Sequence, residues 1–355
     1  MEGAECSVTW YRCADDEEAK TVKPFEHRWW PVAISDKLRN QPVACQLHDT
    51  PLVLFRDNDG HAAALPDRCP HRFAPLSAGK VCDGLIECPY HGWQFSADGR
   101  CTRVPGTELA AGSKPLLESF PCCEAHGLVW ISLSMERPQI PPVAPSDNSQ
   151  RVDTFWITDE VQCSLQDAAE NFLDGFHTHF VHSGWIRHDR QRQQISVRVR
   201  PLADGVEAVY SEEGKQSGFI SRLFERDRGV SMGRFRLPCL AEIEYRDRSD
   251  ELNLLVSAWL VPCGNEQLRL FARIATQQGK LPAVIKRYVL SKLFRVILRQ
   301  DRQILEKVSA NKLRFQGTLP TPLDGEQDLL GPSIRQLLED GEPLMFEERK
   351  FCFRL

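Results

Sequence analysis

The sequence predicts an α+β protein: an N-terminal antiparallel β domain, then a larger domain in which an antiparallel sheet carries helices over one face. Three observations predict it. From about Trp29 to Leu133, short β-forming runs alternate with turn clusters such as DNDG (Asp57 to Gly60) and SADG (Ser96 to Gly99). Farther on, ISVRVR, VEAVYSE, LAEIEYR, LLVSAWLV and LRLFARIA read as strands. Mixed with these strands are helices, one carrying a histidine cluster and one beginning near Pro282.

Taken in order, the acidic start ADDEEAK reads as a frayed terminus. Residues 25–136 form the first domain, and the Pro-rich piece RPQIPPVAPSDNSQ places a linker at 137–152. Residues 153–355 form the second domain. At 355 residues the chain has the bulk for two or three domains with substantial cores.

The first domain carries Cys69-x-His71 and, sixteen residues later, Cys88-x-x-His91. Pro70 and Pro89 follow the two cysteines and Gly92 follows the second histidine, so each pair sits on a sharply turned loop. Two Cys on one iron and two His on the other make the ligand set of a Rieske-type [2Fe-2S] cluster. The same four residue types also make a closed zinc site, although zinc modules usually pair Cys with Cys and His with His.

The second domain supplies ENFLDGFHTHFVH, that is Glu170-x3-Asp174-x2-His177-x4-His182. Two imidazoles and one carboxylate form a facial triad that holds Fe(II) and leaves positions open for dioxygen. A spacing of five puts the two histidines about 140° apart on a regular helix, so the helix must widen or end between them, with Gly184 as a terminator. His179, on the other side of the turn, reads as a supporting or packing residue. A His-rich solvated helix end is the ordinary alternative for the whole cluster.

The third ligand must come from elsewhere. Asp301 lies in VIKRYVLSKLFRVILRQDRQILEKVSA, where Leu293, Phe294, Ile297, Ile304, Leu305 and Val308 share its helical face. A carboxylate on an apolar face needs a partner, either a metal or an arginine such as Arg299 or Arg302.

These motifs resemble the Rieske non-haem iron oxygenases, in their terminal (α) component. The flanking CPHR and CPYHGW match the family's cluster loops, and Tyr90 stands where respiratory-chain Rieske proteins carry an extra Cys. A ferredoxin would stop near residue 135. QDRQILE resembles the family's third-ligand helix. Length and the Asn171 before Asp174 resemble the vanillate O-demethylase and aminopyrrolnitrin oxygenase type of homotrimeric monooxygenase.

The resemblance implies a Rieske β domain and a helix-grip-like catalytic domain, with Cys69, His71, Cys88 and His91 on the cluster and His177, His182 and Asp301 on a mononuclear Fe(II). It implies head-to-tail trimers in which Asp174 links His177 to His91 of another copy, with a helix salt bridge as the alternative for Asp174. Asn171 would contact oxygen or water near the iron. Dioxygen would oxidise a small, aromatic or polycyclic organic substrate by hydroxylation, demethylation or a related reaction. NAD(P)H would supply electrons through a separate reductase or ferredoxin, since no strand is followed by G-x-G-x-x-G. An electron carrier without catalysis and a zinc-stabilised interaction module are the other readings.

Composition adds limits. A net charge of −5 leaves no footprint for nucleic acid. The basic run from Arg187 to Arg200, interleaved with Ile195, Val197 and Val199, reads as a strand with one solvated face, or as a surface for an acidic electron donor. No secretory signal and no apolar run of eighteen appear, so a cytoplasmic protein without a membrane span is expected, with the non-cluster Cys of the thirteen reduced and mostly buried. Cys122 and Cys123 receive no chemistry. Residues 212 to 233 read as a long loop whose Phe219, Ile220, Leu223 and Phe224 either line a pocket or form a helical turn on the core.

Overall fold

The computed structural model describes residues 25–108, 114–146, 152–187, 192, 194–211, 228–264, 266–279, 282–315, 320 and 322–355. The first domain contains β1 (Trp30–Ile34), β2 (Val43–Leu47), β3 (Thr50–Arg56), β4 (Ala62–Pro66), β5 (Lys80–Cys82), β6 (Leu85–Glu87), β7 (Gln94–Phe95), β8 (Cys101–Arg103), β9 (Cys122–Ala125) and β10 (Leu128–Ile131). They form small antiparallel sheets in the orders β1-β10-β9, β2-β3-β4 and β5-β6-β7-β8. The DNDG and SADG turns join β3 to β4 and β7 to β8. Gly60 and Gly99 take φ of 81° and 78° there, and a Cβ on Gly99 would strike the Leu117 carbonyl at 2.0 Å.

The second domain is built on one large antiparallel sheet. Its strands are β11 (Val152–Gln162), β12 (Gln194–Leu202), β13 (Gly205–Ser211), β14 (Arg228–Arg236), β15 (Leu240–Asp247), β16 (Leu252–Pro262), β17 (Gln267–Gln277) and β18 (Arg349–Arg354), in the order β11-β17-β16-β15-β14-β13-β12-β18. Helices α1 (Leu165–Leu173), α2 (Ala283–Arg314) and α3 (Gly331–Asp340) accompany it. α2 runs long because its sequence holds neither Gly nor Pro after Pro282 and ends with Lys312 and Arg314 in the last turn. Among the described residues, no helix is long and apolar enough to cross a membrane.

The near-continuous apolar run of β16 follows from burial on both faces. Leu254, Val256, Ala258 and Leu260 pack in the core beneath the helices, whereas Trp259 and Val261 enter a second core with Trp30, Leu128 and Trp130. The first domain therefore lies against the sheet face that the helices leave open. Trp259 meets Trp130 edge-on at 6.2 Å and Trp156 at 5.7 Å between ring centres. The segment between the domains is pinned to this face: Glu242, fully buried, accepts from Ser146 N at 3.0 Å and from Ser257 Oγ at 2.6 Å, and Arg236 donates to the Ala144 carbonyl at 3.0 Å.

Several expectations change. β11 already begins at Val152, inside the expected linker, and Val143 is buried in the second core. β14 begins at Arg228, so the expected 212–233 loop ends earlier than its glycines suggested, while Phe219, Ile220, Leu223 and Phe224 lie outside the described residues. β18 and α3 carried no sequence expectation, although Pro332 near the start of α3 and Gly341 at φ 69° just past its end bracket it in the usual way. On β12, Ile195, Val197 and Val199 are buried as their alternation requires. Cys45, Cys101, Cys163, Cys239 and Cys263 are buried, but Cys352 is exposed.

Candidate functional site

The two Cys-His loops of the first domain are copies of one turn. Cys69 N donates to the Ala74 carbonyl and Phe73 N to the Cys69 carbonyl, both at 2.8 Å. In the second loop Cys88 N donates to the Trp93 carbonyl at 2.8 Å and Gly92 N to the Cys88 carbonyl at 3.1 Å. The fourth residue after each cysteine takes the same left-handed conformation, with φ of 58° at Phe73 and 69° at Gly92. Cys69 and Cys88 are buried; His71 and His91 are exposed, with ring centres 4.6 Å apart. Trp93 lies flat on His71, the rings 5° from parallel and 4.7 Å apart. Burial pushes the Cys69 thiol up to about 11, and the facing Cys88 adds to it. Two soft donors inside and two imidazoles outside form a mixed clasp suited to a cluster with one sulfur-held and one nitrogen-held iron.

In the second domain, α1 starts at Ser164, whose hydroxyl accepts from Asp167 N at 3.1 Å, and ends at Asp174. The histidines therefore follow the helix instead of straddling its end. His177–His179 form a single 3₁₀ turn, so no widening of α1 is needed. Asp174 caps that turn: its carboxylate accepts from Phe176 N at 2.7 Å and from His177 N at 3.1 Å. Gly175 fits closely beside it: a Cβ there would stand 3.2 Å from Leu355 and 3.3 Å from Arg187 Nη1, so those side-chain ends would have to give by a few tenths of an ångström. Gly184 takes φ of 84° and turns the chain after His182.

From this turn and from the middle of α2, three side chains converge. His177 Nε2 and His182 Nε2 are 3.2 Å apart, and Asp301 Oδ1 lies 3.4 Å from the first and 3.1 Å from the second. Donor atoms about 2.1 Å from a common centre at right angles to one another stand about 3.0 Å apart, so the three fit one face of an octahedral ion. His177 Nδ1 donates to the Asp174 carbonyl at 2.7 Å, and His182 Nδ1 to Gln300 Oε1 at 2.9 Å, which leaves both Nε2 lone pairs facing the carboxylate. Three acceptors aimed at one point require a cation or a shared proton. Burial alone would lower the His177 imidazole, but hydrogen bonds to Asp174 and Asp301 outweigh it and push it up to about 9. Asp301, which burial alone would raise, is brought down to about 2 by the two histidines.

The other predicted residues fall nearby with altered contacts. Asn171 Nδ2 donates to Asp301 Oδ1 at 3.1 Å, so it holds that carboxylate directly. The Asp174 carboxylate, 3.7 Å from His177 Nδ1, serves the turn's backbone N–H groups while its side chain remains 40% exposed. His179 is buried and packs behind the turn, its Nδ1 3.3 Å from the Phe176 carbonyl. Arg302 pairs with Asp159 and does not reach Asp301. Of the apolar face drawn for α2, Leu293, Phe294 and Ile297 do line the site, but Ile304 and Val308 are exposed while Leu305 and Ser309 beside them are buried, so the packed stripe of α2 is narrower than the face drawn. Glu170 is held by Arg335 at 3.1 Å and lies away from the triad.

Above the triad opens a cavity of about 170 Å³. Its walls are mostly apolar, with Phe172, Ile243, Leu254, Val256, Leu293 and Phe294 among them, and polar contributions from Thr178, Tyr210 and Tyr245. Sequence reasoning missed Gln300, which adjoins Asp301, and missed the sheet residues of the cavity, whose alternation marks them as buried but not as lining a space.

Residues 28–121 match the family model of the Rieske [2Fe-2S] domain. Residues 161–341, just over half of the chain, match that of the vanillate O-demethylase oxygenase C-terminal domain. This chain belongs to the Rieske oxygenases. Among curated relatives, this Rieske oxygenase is 27% identical over 322 residues to Protein TIC 55, chloroplastic, of Arabidopsis thaliana, covering 86% of this chain and 58% of the relative. It is 37% identical over 158 residues to the oxygenase component of dicamba O-demethylase from Stenotrophomonas maltophilia, covering 43% and 46% respectively. The chain thus spans about half the length of these curated relatives. Its fold matches dicamba monooxygenase bound to dicamba, with a TM-score of 0.74 and 22% identity over 90% of this chain and 98% of that one. It also matches NdmA of Pseudomonas putida CBB5 with caffeine, with a TM-score of 0.71 and 22% identity over 88% and 90%. The cofactors that accompany a Rieske oxygenase, a [2Fe-2S] cluster and a mononuclear iron, suit the two donor sets described above.

Proposed function

We propose that this Rieske oxygenase is the terminal component of a multicomponent monooxygenase acting on a small, apolar, aromatic or polycyclic substrate. The observation that carries the reading is the convergence of His177, His182 and Asp301 within 3.4 Å of one another on the wall of an apolar cavity. Cys69, His71, Cys88 and His91 would hold the cluster, and His177, His182 and Asp301 the Fe(II). An iron held by three residues on one face supplies open positions for dioxygen. The two cores support reading residues 25–136 as the domain where electrons enter and 153–355 as the catalytic domain, with 137–152 between them.

The protein's own groups bind and orient. Phe172, Leu293 and Phe294 exclude water and hold the apolar body of the substrate near the triad, while Tyr210 and Tyr245 offer polar contacts. The Asp174 carbonyl keeps the His177 proton on Nδ1, and Asn171 steadies Asp301 with one amide N–H, a contact that leaves the rest of its amide to meet oxygen or water near the iron. The half-exposed Asp174 carboxylate and the exposed His91 support a head-to-tail homotrimer in which Asp174 of one copy reaches His91 of the next. A separate reductase or ferredoxin, fed by NAD(P)H, would deliver the electrons. Relatives named for dicamba, toluene-4-sulfonate and chlorophyllide a support an aromatic or polycyclic substrate class.

The test is iron and acid-labile sulfide content of anaerobically purified protein, with EPR spectra before and after dithionite, on wild type and His177→Ala. About three irons and two sulfides, with a Rieske signal that persists when the variant loses one iron, supports the reading. Zinc without sulfide, or an iron content unchanged by His177→Ala, defeats it.

A further inference from the structure

We propose that Gln300 is a positioning residue that selects the metal-binding tautomer of His182. The proposal rests on the reading of His177, His182 and Asp301 as an iron site. Gln300 precedes Asp301 on α2, so one stretch of helix presents both a ligand and the partner of another ligand.

The three ligands are supported by three kinds of neutral group. His177 Nδ1 faces a main-chain carbonyl, which can only accept, so its tautomer is settled by the backbone. Asp301 Oδ1 receives a hydrogen bond from Asn171. His182 Nδ1 faces a side-chain amide, with Gln300 Oε1 2.9 Å away. An amide carries an acceptor and a donor on the same carbon, and half a turn about its last bond exchanges them.

That exchange has a chemical consequence. With Oε1 toward the ring, His182 carries its proton on Nδ1, and the Nε2 lone pair joins those of His177 and Asp301. With the amide N–H₂ toward the ring, Nδ1 must accept, so a neutral imidazole carries its proton on Nε2. That proton points at Asp301 Oδ1, 3.1 Å away, and fills the position a metal would take. His182 is 1% exposed, so bulk water cannot substitute for Gln300 at Nδ1. The side chain at position 300 therefore acts on metal affinity through His182, without touching the metal.

Conservative variants separate this role from packing. Gln300→Glu keeps an acceptor at the same reach, whereas Gln300→Leu keeps the volume and offers none. Tautomer selection requires metal affinity in the order Gln300→Glu equal to or above wild type, and Gln300→Leu about 10- to 100-fold below it. A packing role reverses the order, since Leu fills the space and an extra carboxylate at this partly buried position costs stability. Co(II) titration of the reconstituted protein, followed through the cobalt visible bands, reads the affinity. The Rieske absorption of the same samples reports that the chain is folded, and Gln300→Met gives the same comparison if the Leu variant does not fold. Equal affinity in wild type and Gln300→Leu, or a loss confined to Gln300→Glu, overturns the role of Gln300 alone. Absence in wild type of any Co(II) site that His177→Ala abolishes overturns the parent reading with it.

Discussion

Asp301 Oδ1 lies 3.1 Å from His182 Nε2, although one residue belongs to the middle of a long helix and the other to a turn after a short one. The contact ties α2 to the segment following α1 at the point where both face the cavity. Asp301→Asn removes the anion and keeps the shape. The expected result is loss of one iron per chain with the Rieske EPR signal intact, and oxygenation below detection while reduction of the cluster continues.

Asn171 donates to the same Asp301 oxygen, so Asn171→Ala frees the carboxylate to rotate. Removing such a partner lowers metal affinity about 10- to 100-fold. A contact to bound oxygen instead would leave metal affinity unchanged and slow turnover only, so parallel measurement of Co(II) affinity and kcat separates the two roles.

Metal-free protein should show a pH dependence set by His177 and Asp301. His177 rises from its ordinary 6.5 to about 9, so its contribution to stability is complete below pH 6.5 and fades as the pH climbs through 9. Asp301 falls from 3.8 to about 2, so its contribution is present above pH 3.8 and is lost as the pH drops through 2. The Tm of the metal-free protein should therefore decline from pH 6.5 to 9. Over the same range metal affinity should rise, because the proton leaving His177 competes with the metal. A Tm that does not respond to His177→Gln across this window would contradict the assignment.

Trp259 joins the two domains by facing Trp130 and Trp156. Trp259→Ala leaves a large void in an apolar packed interface and should cost about 3–5 kcal/mol. Thermal unfolding followed separately by cluster absorbance and by far-UV circular dichroism should show both signals moving to lower temperature.

The paired loops predict an asymmetry between Phe73 and Gly92. Gly92→Val places a β-branched residue at φ 69° with its Cβ 3.3 Å from Pro105, at a cost of about 1–3 kcal/mol and with reduced cluster content. Phe73→Gly at φ 58° removes a side chain that is 72% exposed and should change stability by less than about 1 kcal/mol. Sulfide content and Tm of the two variants check this.

The chemistry was legible in the sequence by itself, because metal chemistry depends on residue type at short spacing. Cys69-x-His71, Cys88-x-x-His91 and the Asp174, His177, His182 run each span nine residues or fewer, and local sterics from Pro70, Pro89 and Gly92 shape the cluster loops. The burial of β16 was also visible as a near-continuous apolar run, interrupted only by Asn253 and Ser257. Tertiary structure decided what depends on distant partners. It brought Asp301 to the histidines, aimed Asn171 at that carboxylate rather than at open space, used the Asp174 carboxylate on backbone N–H groups, and placed Gln300 behind His182. It also converted alternate residues of β15, β16 and β17 into walls of a cavity. The reason is physical: a hydrogen bond is set by direction and distance across packed elements, and no periodicity within one element records where another element will lie.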